Sequence, residues 1–434
     1  MARPVPTTKA QISGHKFLRR RVEHGLVMGD IRMIHDPLST RRRALVFGLI
    51  AVVLVGIGSA LLAWLQPEPN PGEAPIVESA DKQLFVLVDG TYHPVANLAS
   101  ARIIVGEPAE PARIGTRHLD DARLGVPLGI ADAPGFIAAS GTENAVEWLA
   151  CFAGADAAQT PGFVITIDAA REFSAGDIVV TANQGHTLLD GQAAWVETED
   201  TDWLVDAHGR REIPPAETTE GRIIRRALGV DADTFRWELP AELLNAFRVL
   251  PAVEFPDPLP AVIDAGTGDQ GLWGRADEGV FALTEPQADA LVDAGADLQR
   301  LSHEEVAALP DAPAAQEAFH LPEAAPEFID PAHGWLCATA AGRGAAAPPQ
   351  EGTIELSGSA VADRFNGLPQ GGLGLSSEHG FHLVTAHGLR HSVEDAATLE
   401  ALGTGTGGEA PWQILRLLPG GSQLSREEAL KASY

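Results

Sequence analysis

Four histidines, His379, His382, His387 and His391, follow one another at spacings of three, five and four, and shortly after them residues 403–408 spell G-x-G-x-x-G. Grouped imidazoles can hold zinc or carry a proton near neutral pH. A glycine run of that form can bring backbone N–H groups against a pyrophosphate, provided it ends a strand and opens a helix. Context argues against both. Alternation along a strand would send His382 and its neighbours to differing faces. His387 answers His208 in an earlier copy of the same pattern, where no other histidine stands nearby. The glycine run leads into Glu409-Ala410-Pro411-Trp412, and its counterpart is Gly229-Val230-Asp231, so it reads as a turn. Two S-x-x-K matches, at 13–16 and 79–82, lack the S-D-N and K-T-G partners of a serine acyltransferase. No G-x-x-x-x-G-K-[ST], G-x-S-x-G or H-E-x-x-H occurs, which excludes the usual P-loop nucleotide hydrolase. No catalytic residue, metal ligand or cofactor is assigned.

Cys151 and Cys337 are the only thiols in 434 residues. An even pair in an exported segment most simply forms one disulfide, the alternative being two unrelated buried thiols. Redox catalysis would call for Cys-x-x-Cys, which is absent. Trp148 and Trp335, three and two residues before the cysteines, suggest aromatic packing around the bridge.

The elements that position these groups are set by one feature. Residues 44–65 hold no charge, and 13 of the 22 are Leu, Ile, Val or Phe. As a helix they would reach about 33 Å, enough to cross a hydrocarbon core. Ahead of them, residues 1–43 carry 10 Lys or Arg against 3 acids, a balance of +7 that ends in Arg41, Arg42 and Arg43. Behind them lie 21 basic and 56 acidic side chains, or −35. Basic flanks stay inside, so these arginines orient the N-terminus to the cytoplasm and about 370 residues to the far side. The 43-residue leader, the long apolar run and the lack of a clear A-x-A site favour an uncleaved anchor over a signal peptide. Gly56, Ser59, Ala60 and Ala63 give the span small faces on which another helix could pack.

The exported part repeats itself. Residues 204–211 and 383–390 agree at six of eight positions, 179 residues apart, each an apolar strand, a glycine turn and a return strand. Ala227-Leu228-Gly229 then answers Ala401-Leu402-Gly403, and Pro-initiated helices follow at 240–250 and 411–418. Weaker copies lie at 85–95 and 271–283. Gly90, Gly209, Gly279 and Gly388 are the expected turn glycines, with Gly209 and Gly388 equivalent. Strand candidates at 163–167 and 177–181 would supply a shared core. Segments 310–331 and 340–349, rich in Ala with Pro or Gly, read as surface connections. The carboxylates are scattered as on a solvated acidic surface, which would repel nucleic acid and polyphosphate.

Within the leader, a helix over 11–28 would place Leu18, Val22 and Leu26 in one apolar stripe, with Phe17, Arg21 and His24 also adjacent. Phe17, Leu18, Arg19, Arg20, Arg21, Val22 and Leu26 are therefore candidate docking residues. Adsorption of this helix to anionic lipid is the alternative.

Together, residues 11–30, Asp36-Pro37-Leu38 and the arginine triplet resemble the N-terminus of EccB, the single-span membrane component of actinobacterial type VII (ESX) secretion systems. Residues 94–106, 129–135, and the stretch from Gly371 through 417–425 are similar again, so the resemblance covers nearly the whole chain. It implies an α+β fold: a single transmembrane helix plus a periplasmic domain of four hairpin-and-helix repeats around a central β-rich core, propeller-like and disulfide-stabilised. It further implies a structural role in protein export, with the EccC-type FtsK-like ATPase, EccD, EccE and a mycosin protease as partners in a six-fold complex. Nucleotide hydrolysis has been attributed to the family, but no phosphate cradle is present here. The expected organisation is a cytoplasmic basic amphipathic segment at 1–43, the span at 44–65, a proline-rich linker at 66–80, the periplasmic domain at 81–424 and a tail at 425–434. The rival functions are a periplasmic nucleotide hydrolase and a solitary cell-envelope binding module.

Overall fold

The structure, a computed structural model, describes residues 8–29, 31–32, 37–65, 69–137, 146–154, 174–182, 185–266, 271–346, 353–358, 360–368, 371–405 and 408–433. The strand candidate at 163–167 lies outside them. The chain divides into two compact units, Met1–Pro69 and Asn70–Tyr434.

In the first unit, helix Lys9–Met28 is opened by a reciprocal cap between Thr8 and Gln11 and closed by Gly29 at φ 69°. The second helix, Pro37–Leu65, is 29 residues long and about 43 Å by its rise. It begins before the apolar run because the arginine triplet continues its turns, and Pro37 at its first position loses no intrahelical bond. Within it, Thr40–Leu62, which takes in the arginine triplet at its start, is long and apolar enough by composition to cross a membrane.

The second unit contains five sheets, none of which closes on itself among the described residues. Four of them share one order. A first strand, Ile76–Glu78, Gln192–Glu197, Ala261–Asp264 or Gly372–Ser377, pairs antiparallel with the outgoing strand of a hairpin. Those hairpins are Leu84–Val88 with Thr91–Val95, Asp202–Asp206 with Gly209–Ile213, Leu272–Ala276 with Gly279–Ala282, and Gly380–Thr385 with Arg390–Val393. On its other side each first strand takes a parallel strand: Ala112–Arg113, Arg236–Glu238, Leu298–Arg300 or Gly408–Glu409. A helix links the return strand to that parallel strand every time: Leu98–Val105, Thr219–Ala227, Glu285–Asp293 and Ala396–Leu402. All four helices start behind a residue that favours the N-cap: Asn97, Thr218, Thr284 and Asp395.

The fifth sheet has seven strands, in the order Ile354–Glu355, Arg364–Asn366, Ile178–Ala182, Trp148–Ala153, Trp335–Thr339, Gly344–Ala346, Thr187–Leu188. Its inner strand Ile178–Ala182 is buried at every position, as a continuous apolar run requires. One face packs with Val196, Trp237, Leu243 and Phe247 of the second sheet region and with Leu375, Val384, Ile414 and Leu417 of the fourth. The first and fourth regions share another cluster, joining Ile103 and Ile104 to Leu399 and Leu402. The second and third meet through Ile224 and Ala290. Among the described residues these clusters join the first region to the fourth, the fourth and the second to the central sheet, and the second to the third.

Arg102 ties the first region to the fourth. Buried on helix Leu98–Val105, it donates to the Leu402 carbonyl at 2.8 Å and the Ala109 carbonyl at 3.2 Å, and pairs with Glu110 at 2.8 Å. It thereby supplies a charged donor to the C-terminal end of the neighbouring helix.

Several boundaries differ from the sequence reading. Strand Ile76–Glu78 lies inside the segment expected as linker, because Ile76 and Val77 are fully buried opposite Val86 and Phe85. The tail, expected as a loose end or a short helix, takes the second form: helix Arg426–Ala429, capped by Ser425, with Ala429 fully buried. The Ala- and Gly-rich segment at 340–349 contains the buried strand Gly344–Ala346, since small residues fit where the central sheet is covered closely.

The turn glycines fall at two positions, not one. Tyr92, Arg210, Val280 and Arg390 occupy equivalent places, each bridged in parallel to a later segment, at Leu124, Val249, Asp311 and Gly420 respectively. Counted from these, Gly209 and Gly279 immediately precede the equivalent residue, while Gly90 and Gly388 stand one place earlier, inside the turn, at φ 73° and 80°. The hairpin whose return strand begins at Arg390 carries one more loop residue, which shifts the sequence alignment of Gly209 with Gly388. Gly209, at φ 147°, would also press a Cβ into the Arg248 carbonyl oxygen, whereas a Cβ on Gly90 meets open space. Gly209→Ala is expected to cost about 2–3 kcal/mol and Gly90→Ala about 1 kcal/mol, read from urea unfolding by tryptophan fluorescence. Equal costs at the two sites would contradict the two-position assignment.

Candidate functional site

The docking candidates all lie on helix Lys9–Met28. Phe17, Leu18, Val22 and Leu26 are exposed, as are Arg19, Arg20 and Arg21. Arg19 and Glu23 pair at 3.2 Å one turn apart, a solvated contact of little energy. His24 is buried, and Gly25 leaves room for the Ile31 side chain where the chain turns back after Gly29. Among the described residues of this unit the apolar stripe has no cover. Arg41, Arg42 and Arg43 are exposed on the first turns of the long helix.

Cys151 and Cys337 are bridged, with Cα atoms 4.0 Å apart, and stand opposite one another on adjacent antiparallel strands at the middle of the seven-stranded sheet. Trp335 lies on the bridge's face with Leu149, Val179 and Ala345. Trp148 does not. Three residues from Cys151 is an odd step along a strand, which places it on the opposite face, stacked with Phe365 at 6.4 Å.

The histidines separate. His382 and His391 are buried, paired with Ser392 and Leu383 respectively across the hairpin, and so on different faces. His387 is exposed in the turn. No cluster of His, Cys, Asp or Glu among the described residues could hold a metal ion. The glycine run begins at the C-terminal end of helix Ala396–Leu402, where Gly403 is the cap at φ 84°. That is the negative end of the helix dipole, the wrong one for a phosphate.

Two of the four, His379 and His382, instead join a stack. His379 and His382 lie nearly parallel to the Trp412 ring, at 4.8 and 5.4 Å, and the Arg390 guanidinium lies 4.7 Å from the same ring. His382 Nε2 bonds the Ser377 hydroxyl at 3.0 Å. Burial, then Arg390, then His379 push its pKa down from 6.5 to about 4. An unfolded chain takes up this proton near pH 6.5 and the folded chain only near 4, so the stabilisation is whole above about 6.5 and is lost as pH falls through that window. His382→Gln, which can keep the Ser377 bond, should remove at most about 3 kcal/mol of the difference in unfolding free energy between pH 7 and pH 4. An unchanged pH dependence in thermal unfolding would contradict this.

Two features escaped the sequence reading: Arg102, hidden in an apolar helix, and a cavity of about 1000 Å3 beside the second sheet, lined by Phe152, Trp203, Arg210 and Glu238. Spacing gives no sign of either, because each is assembled from distant segments.

Residues 5–271 and 366–433 match the family described as "Type VII secretion system ESX-1, transport TM domain B". The chain is 28% identical to "ESX-1 secretion system ATPase EccB1" of Mycobacterium tuberculosis, over 98% of this chain and 94% of that protein. It is likewise 28% identical to "ESX-3 secretion system ATPase EccB3" of Mycolicibacterium smegmatis, over 98% and 90%. Its fold is similar to that in "Structure of EccB3 dimer from the ESX-3 core complex", with a TM-score of 0.65 at 24% identity, covering 82% of this chain and all of that one. A chain of "Structure of an intact ESX-5 inner membrane complex" gives a TM-score of 0.62 at 24% identity, covering 100% and 97%.

Proposed function

We infer that this chain, which belongs to the EccB family of type VII secretion, is a structural subunit of a secretion membrane complex. The observation that carries the reading is the match of the family to both ends of the chain, with the apolar helix inside the matched region. The leader stays in the cytoplasm under its +7 balance, the helix spans the inner membrane, and the −35 region stands in the periplasm. The four sheets of common order are copies of one hairpin-and-helix unit flanking the central sheet. Partners are the EccC-type motor ATPase, EccD, EccE and a mycosin protease, with self-association in a six-fold assembly. Solved relatives titled as an EccB3 dimer and an ESX-5 inner membrane complex support both kinds of contact.

Extraction from native membranes in mild detergent, followed by native sizing, should place the chain in a particle many times its own 45.7 kDa. Migration as a monomer would favour the solitary envelope module instead. Both relatives are named as ATPases, which favours a second reading. ATP turnover by the purified chain, compared with a preparation lacking it, separates the two: the structural reading expects no difference.

A further inference from the structure

Arg210 is a buried cation with no anionic partner among the described residues. It is 9% exposed, its guanidinium lies 4.6 Å from the Trp203 ring, and Nη2 donates to Asn245 at 2.8 Å. Among the described residues Nε finds no acceptor, and burial alone pulls the group's pKa below the usual arginine range. Removing an arginine from water without a carboxylate partner is costly, so this position is primed for one. Arg210 lines the cavity of about 1000 Å3, at the upper end of the range for small-ligand sites and large enough for several peptide residues.

Two further properties of the cavity narrow the ligand. Phe152 and Trp203 form apolar walls, while Glu199, Asp200 and Glu238 are exposed at its margin. Nearby Glu197 is already paired with Arg236 at 3.0 Å, and the other three have no basic partner among the described residues. The fourth region offers an internal comparison. Arg390 there holds the equivalent place: its backbone N–H donates to the Pro419 carbonyl as that of Arg210 does to the Arg248 carbonyl, its guanidinium too lies over a tryptophan, and its Nε likewise finds no acceptor among the described residues. The chain's own His379 and His382 stack on that tryptophan. Among the described residues no ring of the chain stacks on Trp203, which faces the cavity.

We propose that this cavity binds the carboxyl terminus of an extended peptide that carries basic side chains shortly upstream. The terminal carboxylate pairs with Arg210, apolar side chains lie against Phe152 and Trp203, and the basic groups meet Glu199, Asp200 and Glu238. Polyphosphates are repelled at the acidic margin, and a neutral ligand leaves Arg210 uncompensated. A bipolar peptide end satisfies both. The proposal does not depend on assembly with other subunits.

Fluorescence anisotropy on the full chain in detergent, with N-terminally labelled Ala-Lys-Lys-Ala-Leu as the free acid and as the C-terminal amide, tests it. The acid should bind at least about tenfold tighter than the amide, the scale of one charge-assisted pair. Arg210→Gln should abolish that preference. Changing Glu199→Gln and Asp200→Asn together, on an exposed hairpin tip that does not constrain folding, should weaken both peptides by about fivefold and flatten the salt dependence. Equal affinity for acid and amide, no binding of the acid, or an acid preference that persists in Arg210→Gln would overturn the proposal. Should Arg210→Gln fail to fold, the acid and amide comparison and the margin variant decide it.

Discussion

Replacing Cys151 and Cys337 together with Ala should lower the unfolding free energy by about 2–5 kcal/mol. The bridge closes a loop with a sequence separation of 186, for which the chain-entropy estimate of about 5 kcal/mol is a ceiling. That loop contains the whole of the second and third sheet regions, from Gln192 to Asp311. Without the bridge, these regions are held to the rest only by strand pairing and side-chain packing. Both sulfurs are fully buried on the face with Leu149, Val179 and Trp335, so Ala leaves a small void and no polar group. Urea unfolding of the oxidised chain, the reduced chain and the double variant should rank the oxidised form highest and the other two close together. A loss below about 1 kcal/mol would mean that the unfolded chain is already constrained without the bridge.

Changing Leu18, Val22 and Leu26 together to Ser should abolish assembly while leaving membrane insertion intact. All three are exposed on helix Lys9–Met28, and all three substitutions preserve every charge. Attraction to anionic lipid depends mainly on the basic residues, at about 1 kcal/mol each, and should largely survive. A packed protein contact depends on the apolar stripe. Losing three buried leucine-sized groups at about 1.5–3 kcal/mol each would weaken it beyond recovery at cellular concentrations. The variant should therefore fractionate with membranes yet fail to co-purify with partners or support export. Normal export by this variant would assign the helix to the lipid surface.

Much of this was legible in the sequence because local rules wrote it there. The uncharged run, the hairpins and the capped helices each follow from a period or a cap that a short window reveals, and the lone pair of cysteines from composition. Other features needed the tertiary structure. Ile76 and Val77 stand among prolines and acids that suggest a linker, and only pairing with Val86 and Phe85 makes them a strand. Sequence identity aligned Gly209 with Gly388, but one added loop residue moves the second glycine into the turn. Trp148 looked close to the bridge by count, although strand alternation could have placed it on the other face. Arg210 carries no motif at all: its significance comes from burial, from Trp203 and from segments 31 to 58 residues away, at Ala241 and Phe152.

The most direct test of the central claim is isolation of the tagged full chain from its own membranes in mild detergent, with mass spectrometry of what comes with it. A structural subunit of a type VII secretion complex should bring an FtsK-like ATPase in amounts comparable to its own, together with further copies of itself. Recovery of the chain alone, under conditions that keep other inner-membrane complexes whole, would contradict the account.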